Sequence, residues 1–422
     1  MAFVAIVDDR FTQIETSRFP APNRTSGIDR TRGRAIRIAF HDFTINHVIV
    51  KSGSWPASAR VANPAPTATQ EPAMRTLLMT AATTGVLLAL SATAGAADLA
   101  PLNSDSEPDR MDWTELEARF GAFPEVPEGT SVGGVSKTLT NEYWRSLGEG
   151  YKNVAEASGV EFVYQAASSE GDQLGQLSIA ETLITQGFDA LLVSPQTDAN
   201  LQPAVETAMG RQLPVLNVND AVIPSATHYV GNVQKDNGVR AANWFIENAA
   251  DGGKLAVIEG QPGVFAAGQR TAGFTETVEA ADGFDIVASV PANWSRELAF
   301  NAASTILQQH PDLVGFYANN DGMALGVVEA VKTAGRQDQV AVIGTDGISD
   351  AYASIRAGDL TGTIDSFPVL TGEVAMEVVL RLLAGQELPR VVATPQALVT
   401  ADNIDDYSTD DMVALRDILT AR

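Results

Sequence analysis

The sequence predicts an α/β fold of two doubly wound parallel-sheet lobes joined by a three-crossing hinge. Two observations carry that expectation. From Ser131 onward, short β-branched or apolar runs alternate with amphipathic stretches of helical length, and strands that alternate with helices form parallel sheets covered on both faces. Nine such runs recur along the chain, more than one small sheet holds, so they divide into two sheets.

The expected strands are Ser131–Val135, Glu161–Tyr164, Ala190–Val193, Val215–Val218, Leu255–Glu259, Asp285–Val290, Leu313–Tyr317, Val340–Gly344 and Leu360–Ile364. Each is a run of four to six residues rich in Val, Ile, Leu, Phe or Tyr. Between them the helical stretches are 142–157, 172–186, 199–209, 235–249, 267–280, 296–309, 321–333 and 349–357. A strand-like segment at Tyr229–Asn232 marks the break between lobes. The first lobe is expected to hold 131–232 plus 367–395, the second 233–366 plus 396–410, with crossings near Asn232, Ser366–Phe367 and Pro395–Leu398. Residues 97–130 read as a tether containing a short helix at Trp113–Phe120, because Pro101–Pro108 and Pro124–Gly129 are turn-rich. An acidic turn and a terminal helix, 411–422, close the chain.

The chain of 422 residues has a net charge of −24. That balance argues against a nucleic-acid partner, which needs clustered Lys and Arg; solubility or adaptation to salt explains the acidity equally well. At Met74-Arg75 an apolar run, Leu77–Leu90, leads to Ala94-Gly95-Ala96. A basic residue, a short apolar core and a small-x-small end make a secretory signal peptide, residues 74–96, cleaved after Ala96. Met74 is therefore the expected initiator, and residues 1–73, mildly basic and without period, an upstream disordered extension. Beyond residue 96 there are 18 basic and 46 acidic side chains, a net charge of −28. The chain has no Cys, so disulfides and a lipidated cysteine are not expected, and the expected compartment is the periplasm.

The strand ends carry the chemistry. In open α/β sheets ligands bind beyond the carboxyl ends of the strands, so two sheets facing each other make a cleft there. In order, these ends present Lys137, Asn141, Tyr143 and Trp144; Asn219 and Asp220; Gln261, Gln269 and Arg270; Asn293 and Trp294; Asn319, Asn320 and Asp321; Asp346; and Asp365 and Ser366. Carboxylates and amides take paired hydroxyls, a fixed Arg donates to oxygens, and rigid aromatic rings cover C–H faces. That mixture suits a polyhydroxylated ligand. Each residue alone has a plainer role: Asn and Asp after strands often cap the next helix, and a lone Trp is more often packing. Their recurrence at one end of both sheets favours binding.

The segments Thr138-Leu-Thr-Asn141-Glu-Tyr143-Trp144, Gly187-Phe-Asp-Ala-Leu-Leu-Val-Ser-Pro195, Ala318-Asn-Asn320-Asp321-Gly-Met-Ala-Leu-Gly326, Ile343-Gly-Thr-Asp346-Gly347 and Gly362-Thr-Ile-Asp-Ser366-Phe-Pro368 make residues 131–401 resemble the type I periplasmic sugar-binding proteins, and among them the ribose-binding family. The resemblance implies ligand contacts from Asn141, Tyr143 and Trp144 in the first lobe and from Arg270, Trp294, Asn320 and Asp346 in the second. It places Asn219-Asp220 where the family often has Asp-Arg, and Ser366 where ribose binders have Gln. Lys137 and Asp365 are further candidates. Trp294 stands for a smaller aromatic. These departures point to a neutral pentose, hexose or sugar alcohol of different shape from ribose.

The resemblance further implies an ABC importer, whose membrane permease and ATPase receive the closed, monomeric binding protein. A binding protein that feeds a chemoreceptor would carry the same sequence features. An effector domain of a transcriptional regulator shares the fold, but residues 1–73 show no helix-turn-helix. An α/β enzyme acting on glycosides is the other alternative, with Asp346 and Asp365 as paired carboxylates. The sequence shows no G-x-G-x-x-G after a strand, no P-loop and no G-x-S-x-G, and the neighbouring Asn, Arg and Trp suit binding better than acid–base work. No catalytic residue, cofactor or metal is expected.

Overall fold

The computed structural model describes residues 100–421 apart from 250 and 410. The expected extension and signal peptide, residues 1–96, lie outside the described residues. Strands β1 to β6 are Arg110–Asp112, Ser131–Ser136, Glu161–Ala166, Ala190–Val193, Val215–Val218 and His228–Gly231. Strands β7 to β11 are Gly253–Glu259, Phe284–Pro291, Leu313–Ala318, Ala341–Asp346 and Gly362–Asp365, followed by β12 (Val391–Ala393) and β13 (Ala397–Thr400). They form two sheets. The first has the order β1-β12-β6-β5-β4-β2-β3 and the second β13-β11-β10-β9-β7-β8. All pairings are parallel except that of β13 with β11.

Helices connect successive strands. After the short α1 (Leu116–Phe120) come α2 (Glu142–Ser158), α3 (Gln173–Gln186) and α4 (Gln202–Gly210) in the first lobe. The second lobe holds α5 (Gln234–Asn248), α6 (Phe265–Glu279), α7 (Arg296–Gln309), α8 (Asp321–Thr333) and α9 (Ser349–Arg356). Then α10 (Pro368–Leu383) returns to the first sheet, and α11 (Ile404–Tyr407) and α12 (Met412–Thr420) end the chain. Apolar strand residues such as Val132, Leu192 and Leu216 in one sheet, and Leu255, Val257 and Ile343 in the other, fill the space beneath the helices.

The chain passes between the sheets three times: from β6 to α5, from β11 to α10 through Ser366 and Phe367, and from β12 to β13. Phe367 turns with φ 45°, a left-handed backbone that a bulky residue adopts only where its surroundings impose it.

Elements beyond those expected include β1, β12, β13 and α10. The expected tether supplies β1, which pairs in parallel with β12 and buries Met111, and the helical turn after it buries Trp113; three residues are too few to display a strand period against polar flanks. No helix is expected over 368–383, yet α10 is one of the longest among the described residues. It is mostly apolar and buried along most of its length, with Glu373, Glu377 and Arg381 as a narrow polar stripe, so no broad solvent-facing side marks it as a surface helix. A Cβ on Gly150 would collide with the carbonyl of Val369, and one on Gly372 with that of Leu147. The two glycines therefore let the backbones of α2 and α10 touch.

Candidate functional site

Ten side chains converge between the lobes. Lys137, Asn141, Tyr143, Trp144, Glu170 and Asp220 come from the first lobe, and Arg270, Trp294, Asn320 and Asp346 from the second. All follow carboxyl ends of strands, as the fold requires.

On the first lobe, Asn141 caps α2 by accepting from the Tyr143 N–H at 3.0 Å, so the cap holds the next two aromatic residues in the first turn. Tyr143 and Trp144 meet edge to face with centroids 4.8 Å apart. The indole Nε1 of Trp144 donates to Glu170 Oε1 at 3.0 Å, while Oε2 of Glu170 is buried without a hydrogen bond. Burial pushes the Glu170 carboxyl up, with Lys137 opposing. Lys137, 1% exposed, pairs with Asp220. Its backbone carbonyl accepts from Gln196 Nε2 at 2.8 Å, which anchors the residue at the end of β2.

On the second lobe, Arg270 is 2% exposed and held on three sides. Its Nε donates to Gln234 Oε1 at 2.9 Å, its Nη1 donates to the Asn319 carbonyl at 2.7 Å, and Nη1 lies 3.6 Å from Asp346 Oδ1. Burial works against the guanidinium charge, and Asp346 and Asp220 more than offset it. Asp346 closes β10 with φ 140°, and burial pushes its carboxyl well up although Arg270 opposes. Behind it, Asp321 accepts from the N–H groups of Gly347 and Ile348 at 2.8 and 3.1 Å and from Thr363 Oγ1 at 2.7 Å. These bonds brace the turn that carries Asp346. Asn320 caps α8 by accepting from the Met323 N–H at 2.9 Å. Trp294 has φ 65° and an indole Nε1 buried without a hydrogen bond.

Left-handed backbone marks the site. Among the described residues six non-glycines have positive φ, and Asn219, Asn293, Trp294 and Asp346 are four of them. Strain of this kind gathers where a fold holds side chains for a ligand. Buried polar atoms without partners, Glu170 Oε2 and Trp294 Nε1, are a second mark, because an unpaired buried donor or acceptor costs about 1–3 kcal/mol. The arrangement can sandwich a small ligand between two indoles and offer it both donors and acceptors at the edges. Among the described residues no cluster of three or more His, Cys, Asp or Glu could hold a metal, and no helix is long and apolar enough to cross a membrane.

Three expected residues fall elsewhere. Asn219 stands behind the cleft wall, where its Nδ2 donates to Tyr143 Oη at 2.5 Å and its Oδ1 accepts from Tyr229 Oη at 3.0 Å. Held through both ends of its amide, it orients Tyr143. Ser366 lies in a hinge crossing, where its Oγ accepts from Asn232 Nδ2 at 3.2 Å. Asp365 faces a different groove, accepting from Tyr352 Oη and the Phe367 N–H, both at 2.7 Å. Glu170 was missed. It lies four residues past the end of β3, a strand end for which no candidate was named.

The same residues can be set against known proteins. Residues 132–387 match the periplasmic binding protein domain family. A D-ribose/D-allose-binding protein of Pseudomonas aeruginosa is 33% identical over 290 residues, covering 66% of this chain and 91% of that protein. A xylitol-binding protein of Mycolicibacterium smegmatis is 28% identical over 278 residues, 65% of this chain and 76% of that protein. A crystal structure of a periplasmic solute-binding protein of an ABC transporter from Actinobacillus succinogenes, with bound D-allose, is similar with a TM-score of 0.62 and 29% identity, covering 66% of this chain and 100% of that one. With its two parallel-sheet lobes, its three crossings and this match over more than half its length, the chain belongs to the periplasmic binding protein family, among the ribose-binding-like members of type I.

Proposed function

We propose that this chain is the periplasmic solute-binding component of an ABC importer, and that it traps a small neutral polyol, a pentose, hexose or sugar alcohol, between its lobes. The observation that carries this reading is the lining itself: two tryptophans, two amides, an Arg–Asp pair and a Lys–Asp pair, drawn from both lobes and buried together. Amides and charged pairs recognise hydroxyls without demanding a charged ligand, and the indoles cover C–H faces. The relatives named above carry D-ribose, D-allose or xylitol in their names, or D-allose in the crystal, and all three are neutral polyols.

Trapping follows from the division of the lining between lobes. Hydrogen bonds from both sides to one ligand exist only when the lobes are closed, so binding shifts the population toward the closed form. That form then docks on the permease and its ATPase. The chain acts by binding and release, without chemical turnover.

A thermal-shift and calorimetric screen of D-ribose, D-allose, xylitol, glycerol and myo-inositol tests the reading, since a ligand that binds only the native state raises the melting temperature. Arg270→Ala and Asp346→Ala should each weaken the best ligand by about 30- to 150-fold, the equivalent of about 2–3 kcal/mol for a lost charge-assisted contact. Unchanged affinity in both variants sinks the proposal, as does the absence of any polyol that shifts the melt.

A further inference from the structure

We propose that Glu142 and Asp198 are interlobe latches: each is a first-lobe carboxylate that caps a helix of the second lobe and thereby sets the closed population before any ligand binds. The inference rests on the reading of the cleft as a closing trap.

The sequence leaves three helices of the second lobe, α5, α6 and α9, without side-chain caps of their own. The N-cap positions of α6 and α9 are Val264 and Ile348, and neither supplies a side-chain hydrogen bond. Their neighbours differ: Ser295 caps α7 and Asn320 caps α8. An uncapped helix start leaves N–H groups unpaired and a partial positive charge at its end. In this structure the starts of α6 and α9 are served from across the interlobe boundary.

At α9, Glu142 Oε1 accepts from the Ser349 N–H at 2.9 Å and Oε2 accepts from Ser349 Oγ at 2.7 Å. Glu142 begins α2 of the first lobe, one residue after the Asn141 cap. At α6, Asp198 Oδ1 accepts from the Phe265 N–H at 3.0 Å. The same oxygen accepts from the Val222 N–H at 3.0 Å, within its own lobe, which orients the carboxylate. Next to it the Ala266 N–H donates to the Asp220 carbonyl at 3.2 Å and the Asp198 N–H to the Gly263 carbonyl at 3.4 Å. A third borrowed cap sits by the hinge, where Asp105 accepts from the N–H groups of Gln234 and Lys235 at 3.1 and 2.8 Å at the start of α5; beside a crossing, separation of the lobes moves it least.

Parting the lobes strips α6 and α9 of these partners and returns their N–H groups to water. Closing restores them with no ligand contact involved, for Glu142 does not line the cleft. A cap of this kind shifts a two-state equilibrium roughly fivefold.

The chain has no cysteine, so the test can label the full chain at two introduced thiols, Lys152→Cys on α2 and Glu297→Cys on α7, both exposed and on different lobes. Single-molecule energy transfer then reads the ratio of closed to open molecules without ligand. Glu142→Ala and Asp198→Ala should each lower that ratio roughly fivefold, and Glu142→Gln, which keeps an acceptor, should lower it less than Glu142→Ala. A ratio unchanged within a factor of about two in both alanine variants overturns the latch, and so does a parent chain with no closed molecules to count. If Asp198→Ala fails to fold by circular dichroism, the half-buried Glu142 decides alone. Adding D-allose, D-ribose or xylitol to the parent tests the trap separately: failure of every polyol to close it counts against the proposed function, while the ligand-free ratios still judge the latches.

Discussion

Lys137 Nζ lies 2.5 Å from Asp220 Oδ1, with both side chains withdrawn from solvent. The two residues follow β2 and β5, strands separated in the sheet by β4, so the pair spans the floor of the first lobe. The same ammonium stands 5.4 Å from the ring centre of Trp144 and 5.5 Å from that of Trp294. One cation thus links an acid and an indole of its own lobe to an indole of the other.

Breaking that pair from one side should be costly. Lys137→Met leaves Asp220 buried without its counter-charge, and the expected loss is about 3–5 kcal/mol of folding stability. Lys137→Met combined with Asp220→Asn should recover most of it, because the orphaned charge is gone. Urea denaturation of the four chains in a double-mutant cycle checks this; a double variant as unstable as Lys137→Met alone would refute it.

The second tryptophan depends on a residue outside the cleft. A Cβ built on Gly260 would collide with the Trp294 ring at three of its atoms. Gly260→Ala must therefore push the ring off its seat, since the three atoms nearest the new Cβ all belong to that ring. We expect affinity for the cognate polyol to fall at least about tenfold, the effect of displacing one stacking partner, with the melting temperature in the presence of no ligand shifted by only a few degrees. Calorimetry beside a thermal melt separates the two effects, and equal affinity for wild type and variant contradicts the assignment.

Tyr143 offers a contrasting case. It lines the cleft, yet its hydroxyl is engaged by Asn219 behind the wall, and burial pushes its phenol well up. Tyr143→Phe leaves Asn219 Nδ2 buried without an acceptor, which should lower stability by about 1–3 kcal/mol. Ligand affinity should change less than about threefold, since the ring remains. A large affinity loss with stability intact would mean that the hydroxyl, and not the ring, meets the ligand.

These cases show what the sequence could and could not express. Strands such as Ala190–Val193 and Val215–Val218 were legible to the residue because they are buried apolar runs bounded by turns. Helix α10 was not, since it is mostly apolar and buried nearly all round, with only a narrow polar stripe at Glu373, Glu377 and Arg381. Among site residues, Asn141, Trp144, Arg270 and Asp346 were legible because the carboxyl ends of strands are where such folds bind. Asn219 shows the limit. It is adjacent to Asp220, which does line the cleft, but its φ of 24° belongs to a left-handed turn that nothing in Val218-Asn219-Asp220 announces. Asp365 and Ser366 are likewise at a strand end, but that end enters a hinge crossing, and the turn at Phe367 directs the two side chains to the groove and the hinge. Strand ends locate the side of the sheet; backbone torsion decides which side chain arrives.

Asp365 also makes the chain's stability depend on pH. Burial pushes its carboxyl from 3.8 up to about 7, against the Tyr352 and Phe367 hydrogen bonds, and pushes Asp321 from 3.8 up to about 6. A carboxyl raised in the folded state is protonated there while the unfolded chain has already released its proton. Its contribution is therefore fully present below about pH 4 and lost as pH rises through about 6 for Asp321 and about 7 for Asp365. The chain should be less stable at pH 8 than at pH 5, by no more than a few kcal/mol, because each pKa unit is worth about 1.4 kcal/mol. Asp365→Asn removes one of these titrations and leaves those of the other buried carboxyls, Asp321, Asp346 and Glu170 among them. It should flatten the fall between pH 5 and pH 8 and leave the variant's relative stability highest at the alkaline end. Urea midpoints measured across that range decide the matter: a variant whose midpoint falls as steeply as that of the parent would place the titrating group elsewhere.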